Sequence, residues 1–419
     1  MSQKNPNKKK KSRLWQFPWG YRESFLIAFF VLLSGFLIQL LFGGGVRMPA
    51  WPANIAIILI FIIYFILIHY LVKHPIVKWL SSTYAAIASI TAFTFIVLLL
   101  GFIPQGVNSA DPSLLDSLGL THVTSSWPYL MSALLLLVVL GFTIIRRINN
   151  FSLKNISFLL NHIGLWIVIV AASLGSSDMW RLSMQLEEKH PTINAYDANG
   201  NTYNMGFGMM LLDFEIETYP PELGIMNNKD YTLVLEKGGK LATVVEGEQD
   251  QLDEYTLFFE KVIPFARKYG DVYDTTSREG GARAVYVIVT NQYSDTVAKG
   301  WVSDGSYAVP SSQLAINKDI SVAMTQLRPK KYSSDIRLYR SMDDYEDFYI
   351  EVNKPVKIDG WKIYQTGYDE LMGRWSKKSI IELVRDPWLP VVYTGIFMIL
   401  IGSLYLLWMG KGRIKTKKS

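Results

Sequence analysis

The chain has no cysteine among its 419 residues. That excludes a disulfide framework, a CxxC redox pair and a thiolate metal site. Redox-active thiol work beside this protein belongs to another polypeptide. Histidine is scarce as well. His69, His74, His122, His162 and His190 are the whole set, and no spacing among them supports a three-histidine zinc site. No HExxH, GxSxG or paired-carboxylate motif appears, so no catalytic constellation stands out. One absence is local. The stretch from about 104 to 127 carries neither Lys nor Arg.

What the chain has in quantity is hydrophobic residues, 50% of the total, interrupted by strongly polar runs. A membrane span needs about 20 mainly apolar residues to cross about 30 Å of hydrocarbon. Six stretches qualify: 24–43, 53–72, 83–103, 128–145, 156–175 and 389–409. The first is too long for a cleavable signal peptide and lacks a small-residue cleavage site. The net charge of +6 is uneven. Lys8, Lys9, Lys10, Lys11 and Arg13 precede the first span. Lys73 and Lys78 lie between the second and third, and Arg146, Arg147 and Lys154 between the fourth and fifth. Lys411, Arg413, Lys415, Lys417 and Lys418 follow the sixth. Basic short loops stay in the cytoplasm. Both termini are therefore expected inside, with 176–385 outside. The basic ends read as topology signals and lipid-headgroup contacts, not as a nucleic-acid surface.

The outer segment alternates polar and apolar residues in short runs: YTLVLEK (231–237), ATVVEG (242–247), YTLFFEKV (255–262), ARAVYVIVTN (282–291), DFYIEVN (347–353) and GWKIYQTGY (360–368). Gly238-Gly239, Asn353-Lys354-Pro355 and Asp359-Gly360 divide them. This is β-strand patterning, and its spacing predicts a sandwich or barrel-like domain. SREGGARA (277–284) reads as a loop, without the strand–loop–helix context of a phosphate-binding loop.

His162 is out of place. It lies about 10 Å inside the fifth span, on the cytoplasmic side of the midplane, at 1.5 Å per residue. Polar groups at such depth face protein or a cavity. Two readings stay open. One is an interhelical hydrogen bond, for instance to Ser157, Asn161 or a hydroxyl on another helix. The other is a ligand role. Imidazole is a good axial ligand for haem iron, and a planar porphyrin suits a crevice between helices. Gly164 thins the helix beside the ring, for a flat ligand or for another helix. His69 and His74 read as structural residues at headgroup level. His122 reads as a solvated loop residue beside the interface anchors Trp127 and Tyr129, and His190 as a surface residue.

Several stretches, in order, carry a resemblance: GFIPQ (101–105), LGLTHVTSSWPYLMSALLLL (118–137), RRI (146–148), LLNHIGLWIVIVAASLG (159–175), LLDFEIETYPPE (211–222), EVNKPVKIDGWKIYQTGYD (351–369) and VRDPWLPVVYTGIFMILIGSLYLLW (384–408). Together they resemble the ResB (CcsB) family, membrane proteins of the System II route of cytochrome c biogenesis. The resemblance covers roughly 83–408. It implies a polytopic α-helical protein with a large β-rich extracytoplasmic domain between helices five and six. The divisions follow: a basic cytoplasmic N-terminus (1–23), two added helices (24–82), three core helices (83–175), the outer domain (176–385), then the last helix and basic tail (386–419).

The resemblance also implies a role. Such a protein works with a CcsA (ResC)-like membrane partner to carry haem b across the membrane and support its attachment to apocytochrome c. This chain would be a non-catalytic or co-catalytic subunit of that holocytochrome c synthase, or haem lyase. His162 matches the family's transmembrane histidine and would be an axial ligand of the haem iron, with Gly164 and Trp166 as candidate crevice linings. The second axial ligand would come from the partner, and thiol-reducing proteins would act indirectly. A tryptophan-rich WGxxWxWD motif is absent here and is expected on the partner. Asp386-Pro387 reads as the structural approach to the last span. The expected location is a bacterial cytoplasmic membrane. The alternatives are a membrane-anchored scaffold or binding module, or a transporter component, without its own cofactor.

Overall fold

A computed structural model describes residues 14–106, 113–149, 151–234 and 241–413. The chain divides into two compact units, one made of the segments up to Met179 and from Asp386 onward, the other of Trp180–Arg385.

The first unit contains α1 (Tyr21–Phe42), α2 (Ala53–Leu71), α4 (Thr83–Phe102), α6 (Trp127–Asn149), α7 (Ile156–Leu174) and α8 (Leu389–Arg413), with the short α3 (Pro75–Leu80) and α5 (Leu114–Ser117). The six long helices are each apolar and long enough to cross a membrane, which makes this a membrane protein by length and composition. Helix α6 runs to Asn149, a turn past the expected end at 145. Of the basic clusters, Lys8–Lys11, Arg13, Lys415, Lys417 and Lys418 lie outside the described residues.

Helix α6 is the hub. It buries Ser132, Ala133, Leu136, Val139, Leu140, Gly141 and Phe142. Close approach needs small residues, because packing rather than the hydrophobic effect holds helices together in lipid. A methyl on Gly35 of α1 would lie 2.7 Å from the Pro128 Cα, and one on Gly141 would lie 2.5 Å from the Phe65 ring of α2. The two helices outside the expected core thus pack directly on it. Their loop is tied in as well. Asp178, just past α7, accepts hydrogen bonds from the Trp51 backbone N–H (2.7 Å), Asn54 Nδ2 (2.7 Å) and Trp388 Nε1 (2.6 Å). Asp386 Oδ1 accepts from the Trp388 and Leu389 backbone N–H groups, capping the start of α8. Gln105 of the GFIPQ stretch donates to the Leu120 carbonyl and accepts from the Val123 N–H, which fastens the loop before α6.

In the second unit every pair of named strands is antiparallel. One sheet has the order β14 (Tyr345–Glu351), β13 (Pro329–Tyr339), β3 (Thr202–Thr218), β2 (Thr192–Tyr196), β1 (Trp180–Glu187), β17 (Lys378–Arg385), β16 (Trp361–Tyr368), β15 (Val356–Ile358). Leu182, Met184 and Leu186 of β1 alternate inward, as do Ile381 and Leu383 of β17. Residues of all eight strands, both edges included, enter one core, so the sheet curls around it. A second sheet runs β10 (Thr296–Ser303), β9 (Ala282–Thr290), β7 (Tyr255–Tyr269), β6 (Gln249–Leu252), with β8 (Val272–Thr275) also on β7. A third runs β11 (Leu314–Ala315), β12 (Ile320–Met324), β4 (Glu222–Asn227), β5 (Ala242–Thr243). These two share a core of Leu223, Val322, Leu257, Phe259, Val285 and Val287, a sandwich in the sense of two packed layers.

The runs ending at 262, 291, 353 and 368 correspond to β7, β9, β14 and β16. ATVVEG pairs only at Ala242–Thr243. The first residues of YTLVLEK give an isolated bridge, Leu233 with Met226; its remainder and Gly238-Gly239 lie outside the described residues. Residues 276–281 form a loop, and ARA opens β9. Asp359-Gly360 joins β15 to β16 with both φ angles positive, 49° and 82°, which is the two-residue hairpin that Asp-Gly favours.

Candidate functional site

His162 is held by its own helix. Its Nδ1 lies 2.8 Å from the Phe158 carbonyl oxygen. A carbonyl only accepts, so Nδ1 carries the proton and Nε2 is left with a lone pair. The Phe158 ring stacks on the imidazole, centroids 3.7 Å apart and planes 21° apart. Stacking covers a face of the ring, whereas the Nε2 lone pair points along its edge. The ring is therefore held in orientation, and Nε2 has no hydrogen-bond partner among the described residues. The interhelical bond expected from Ser157 or Asn161 is not made. Ser157 Oγ donates to the Gly402 carbonyl of α8 at 2.7 Å, and Asn161 Oδ1 accepts from Ser403 Oγ at 3.2 Å.

His162 opens on a cleft of about 490 Å³. Its walls are the α3–α4 corner (Ser81, Ser82, Thr83), the end of α6 (Thr143, Arg146, Arg147), and Phe158 of α7. That volume lies within the range of small-molecule sites. Arg146 Nη1 donates to the Ser81 carbonyl at 3.0 Å, which holds the corner against α6. The Arg147 guanidinium carbon lies 4.8 Å from the Phe158 centroid. Arg147 has no carboxylate in ion-pair range among the described residues. Sequence reasoning took both arginines as topology signals only and did not single out Phe158. The one available signal was Phe158 four residues before His162, hence on the same helix face. The α3–α4 corner had no signal.

The other two candidate positions go elsewhere. A methyl on Gly164 would lie 2.6 Å from the Gly395 carbonyl oxygen, and one on Gly395 would lie 2.7 Å from the Gly164 carbonyl oxygen. Helix α8 fills the space beside Gly164, so of the two occupants expected there the structure has the helix. Gly164 is no crevice lining in this arrangement. Trp166 lines a different cleft, of about 540 Å³, with Ile62, Phe65 and Ile66 of α2 and Ile144 and Ile145 of α6. Its Nε1 is buried without a hydrogen-bond partner among the described residues. The structure therefore separates His162 from both.

No second histidine joins His162. His69 bonds Asn149 at 2.7 Å. His74 caps α3, its Nδ1 accepting from the Ile76 N–H at 3.2 Å. His122 bonds Thr121, and His190 bonds the Glu188 carbonyl. No cluster of three or more potential metal ligands occurs among the described residues. The cleft thus offers one imidazole, two guanidiniums and four hydroxyls. This donor set fits an iron porphyrin that takes one axial nitrogen here and another elsewhere.

The β-rich unit has its own buried charges. Arg283 Nε and Nη2 each lie 2.8 Å from Asp304 Oδ2, and the two side chains are 11% and 9% exposed. Burial pushes the Asp304 carboxyl up, and Arg283 opposes that only in part. Burial, then the nearby Arg283 charge, push the Arg374 guanidinium down. The pair and Arg374 line a cleft of about 510 Å³. Glu351 sits between Lys331 and Lys354, whose hydrogen bonds hold its carboxyl at about 2. This explains the NKP stretch: Asn353 turns the chain at φ 66° and brings Lys354 back onto Glu351. The following IYQ stretch places Gln365 in the core, where its Nε2 donates to Ser379 Oγ at 2.9 Å.

Residues 276–382, from the loop before β9 into β17, match the model of the ResB-like family. No curated protein matches the chain.

Proposed function

We propose, from the match of residues 276–382 to the ResB-like family, whose members take part in cytochrome c biogenesis, that this chain is the haem-handling subunit of a cytochrome c synthase complex. Haem is its cargo. His162 supplies one axial nitrogen, and a CcsA/ResC-like membrane partner supplies the other. The observation that carries this reading is the His162 imidazole itself. It lies on a helix long and apolar enough to cross a membrane, is held by Phe158, and lines a cleft. An imidazole whose other nitrogen donates to a carbonyl is the usual form of a metal-binding histidine. The iron supplies the redox state that thioether formation needs. The chain's own residues hold and orient it, and with no cysteine they leave thiol reduction to other proteins. The β-rich unit is the platform for apocytochrome c on the outer side of the membrane, by strand addition at a sheet edge.

The test is spectroscopic. Co-expressed with its partner, the wild type is expected to purify with a b-type haem spectrum. His162→Ala is expected to lose that spectrum and to mature cytochrome c poorly, with added imidazole restoring both. Equal haem content and equal maturation in His162→Ala would remove the ligand assignment.

A further inference from the structure

We propose that the cleft of His162 is a two-point site: Arg147, with Arg146 beside it, clamps the propionate carboxylates of the porphyrin whose iron His162 ligates. This rests on the haem reading of His162. An iron porphyrin presents a metal at its centre and two carboxylates on one edge, separated by the half-width of the macrocycle. A site for it needs an axial base and, some distance away in the same cavity, cations. The cleft has both. His162 lies deeper in α7, and the arginines lie at the end of α6. Arg147 is the sharper case. Its guanidinium sits 4.8 Å from the ring of Phe158, the ring that also stacks on His162. One aromatic side chain thus positions both the donor nitrogen and the cation. Arg147 has no carboxylate partner of its own among the described residues. Ser82 and Thr83 add hydroxyl donors at the same rim. The arrangement orients the cargo, with the propionate edge toward the basic end and the iron toward the membrane interior.

A phospholipid phosphate offers oxyanion chemistry of the same kind at this depth, so the test must separate the two. The full-length chain, purified from membranes with its neighbours, is titrated with haem and with haem dimethyl ester, whose propionates carry no charge. The wild type is expected to bind haem about thirtyfold more tightly than the ester, the size two cations near a membrane surface contribute. Arg146→Gln/Arg147→Gln is expected to bind both porphyrins alike, at the ester's affinity, with the Soret position unchanged. Arg147→Lys should keep part of the preference. If the double variant keeps the wild-type preference for haem, or the wild type has none, the clamp is overturned. Loss of bound phospholipid phosphate from the variant, with the haem-to-ester ratio unmoved, assigns the arginines to lipid instead. His162→Ala is the control for the underlying reading. If its spectra match the wild type's for both porphyrins, haem ligation by His162 falls, and the clamp with it.

Discussion

Replacing Asp304 by alanine strands the Arg283 guanidinium in the β-rich unit. Arg283 makes two contacts of 2.8 Å to the same carboxylate oxygen. Among the described residues its Nη2 has one further acceptor, the Thr325 carbonyl at 3.4 Å. Arg374 is close enough for the two like charges to disfavour each other. Removing one member of a buried pair costs about 3–5 kcal/mol, because the other stays charged and desolvated. Here the pair lines a cleft of about 510 Å³, through which water can reach the exposed cation. The lower end, about 3 kcal/mol, is therefore expected, a shift of roughly a hundredfold in the folding equilibrium. The double variant Arg283→Met/Asp304→Leu removes both charges and should cost about 1 kcal/mol or less. The assay is pulse proteolysis in urea on the detergent-solubilised full chain, following the fragment that contains Trp180–Arg385. An Asp304→Ala variant within about 0.5 kcal/mol of wild type would falsify the reasoning. So would a double variant no more stable than the single one, since the cost would then lie in packing, not in the stranded charge.

Acid should weaken the same unit through Glu351. Its carboxyl is held at about 2 by Lys331 and Lys354, below the ordinary 4.5. The folded state binds that proton less readily than the unfolded chain does. The stabilisation is therefore fully present above about 4.5 and is lost as pH falls toward about 2. Glu351→Gln should flatten the acid limb of the unfolding midpoint against pH, and superimposable limbs would count against the pairing. In the helical unit, Gly164→Ala puts a methyl 2.6 Å from a backbone oxygen of α8. An overpacking cost of about 1–3 kcal/mol follows, read as a lower melting temperature in lipid nanodiscs. The Soret position of the haem-loaded protein should not move. A shifted Soret band with unchanged melting would return Gly164 to the crevice.

The helices were legible because hydropathy over about 20 residues is a dense signal. The hairpin at Asp359-Gly360 was legible because the turn dictates its residues. The strand register of the outer unit was not. β1 pairs along its whole length with β17, from Trp180↔Arg385 to Glu187↔Lys378, and nothing local to either strand names the other. The site was half legible. A lone histidine in a lipid-compatible run marks itself by its desolvation cost. Its cleft is built from α6, α7 and the α3–α4 corner, and hydropathy does not encode which helices are neighbours. The basic residues at the end of α6 carried a topology meaning strong enough to hide any other.

Gly164 shows where the ambiguity sits. A glycine beside a candidate ligand leaves a space, and the sequence around it is the same whether a porphyrin or a helix fills that space. The deciding residues lie in α8. Gly395 meets Gly164, and Gly402 meets Ser157 and Asn161. As the number rises on α7 it falls on α8, so the helices run antiparallel. Ser157 and Gly164 are seven apart, as are Gly395 and Gly402, and a seven-residue step returns to nearly the same face of a helix. Two small-residue stripes with one spacing, on helices that bury them against each other, explain both glycines without a ligand. His162, two residues before Gly164, lies about 200° around the helix from it at 3.6 residues per turn. The face that binds α8 and the face that opens on the cleft are consequently different faces of α7, and a ligand at His162 has no need of the space beside Gly164.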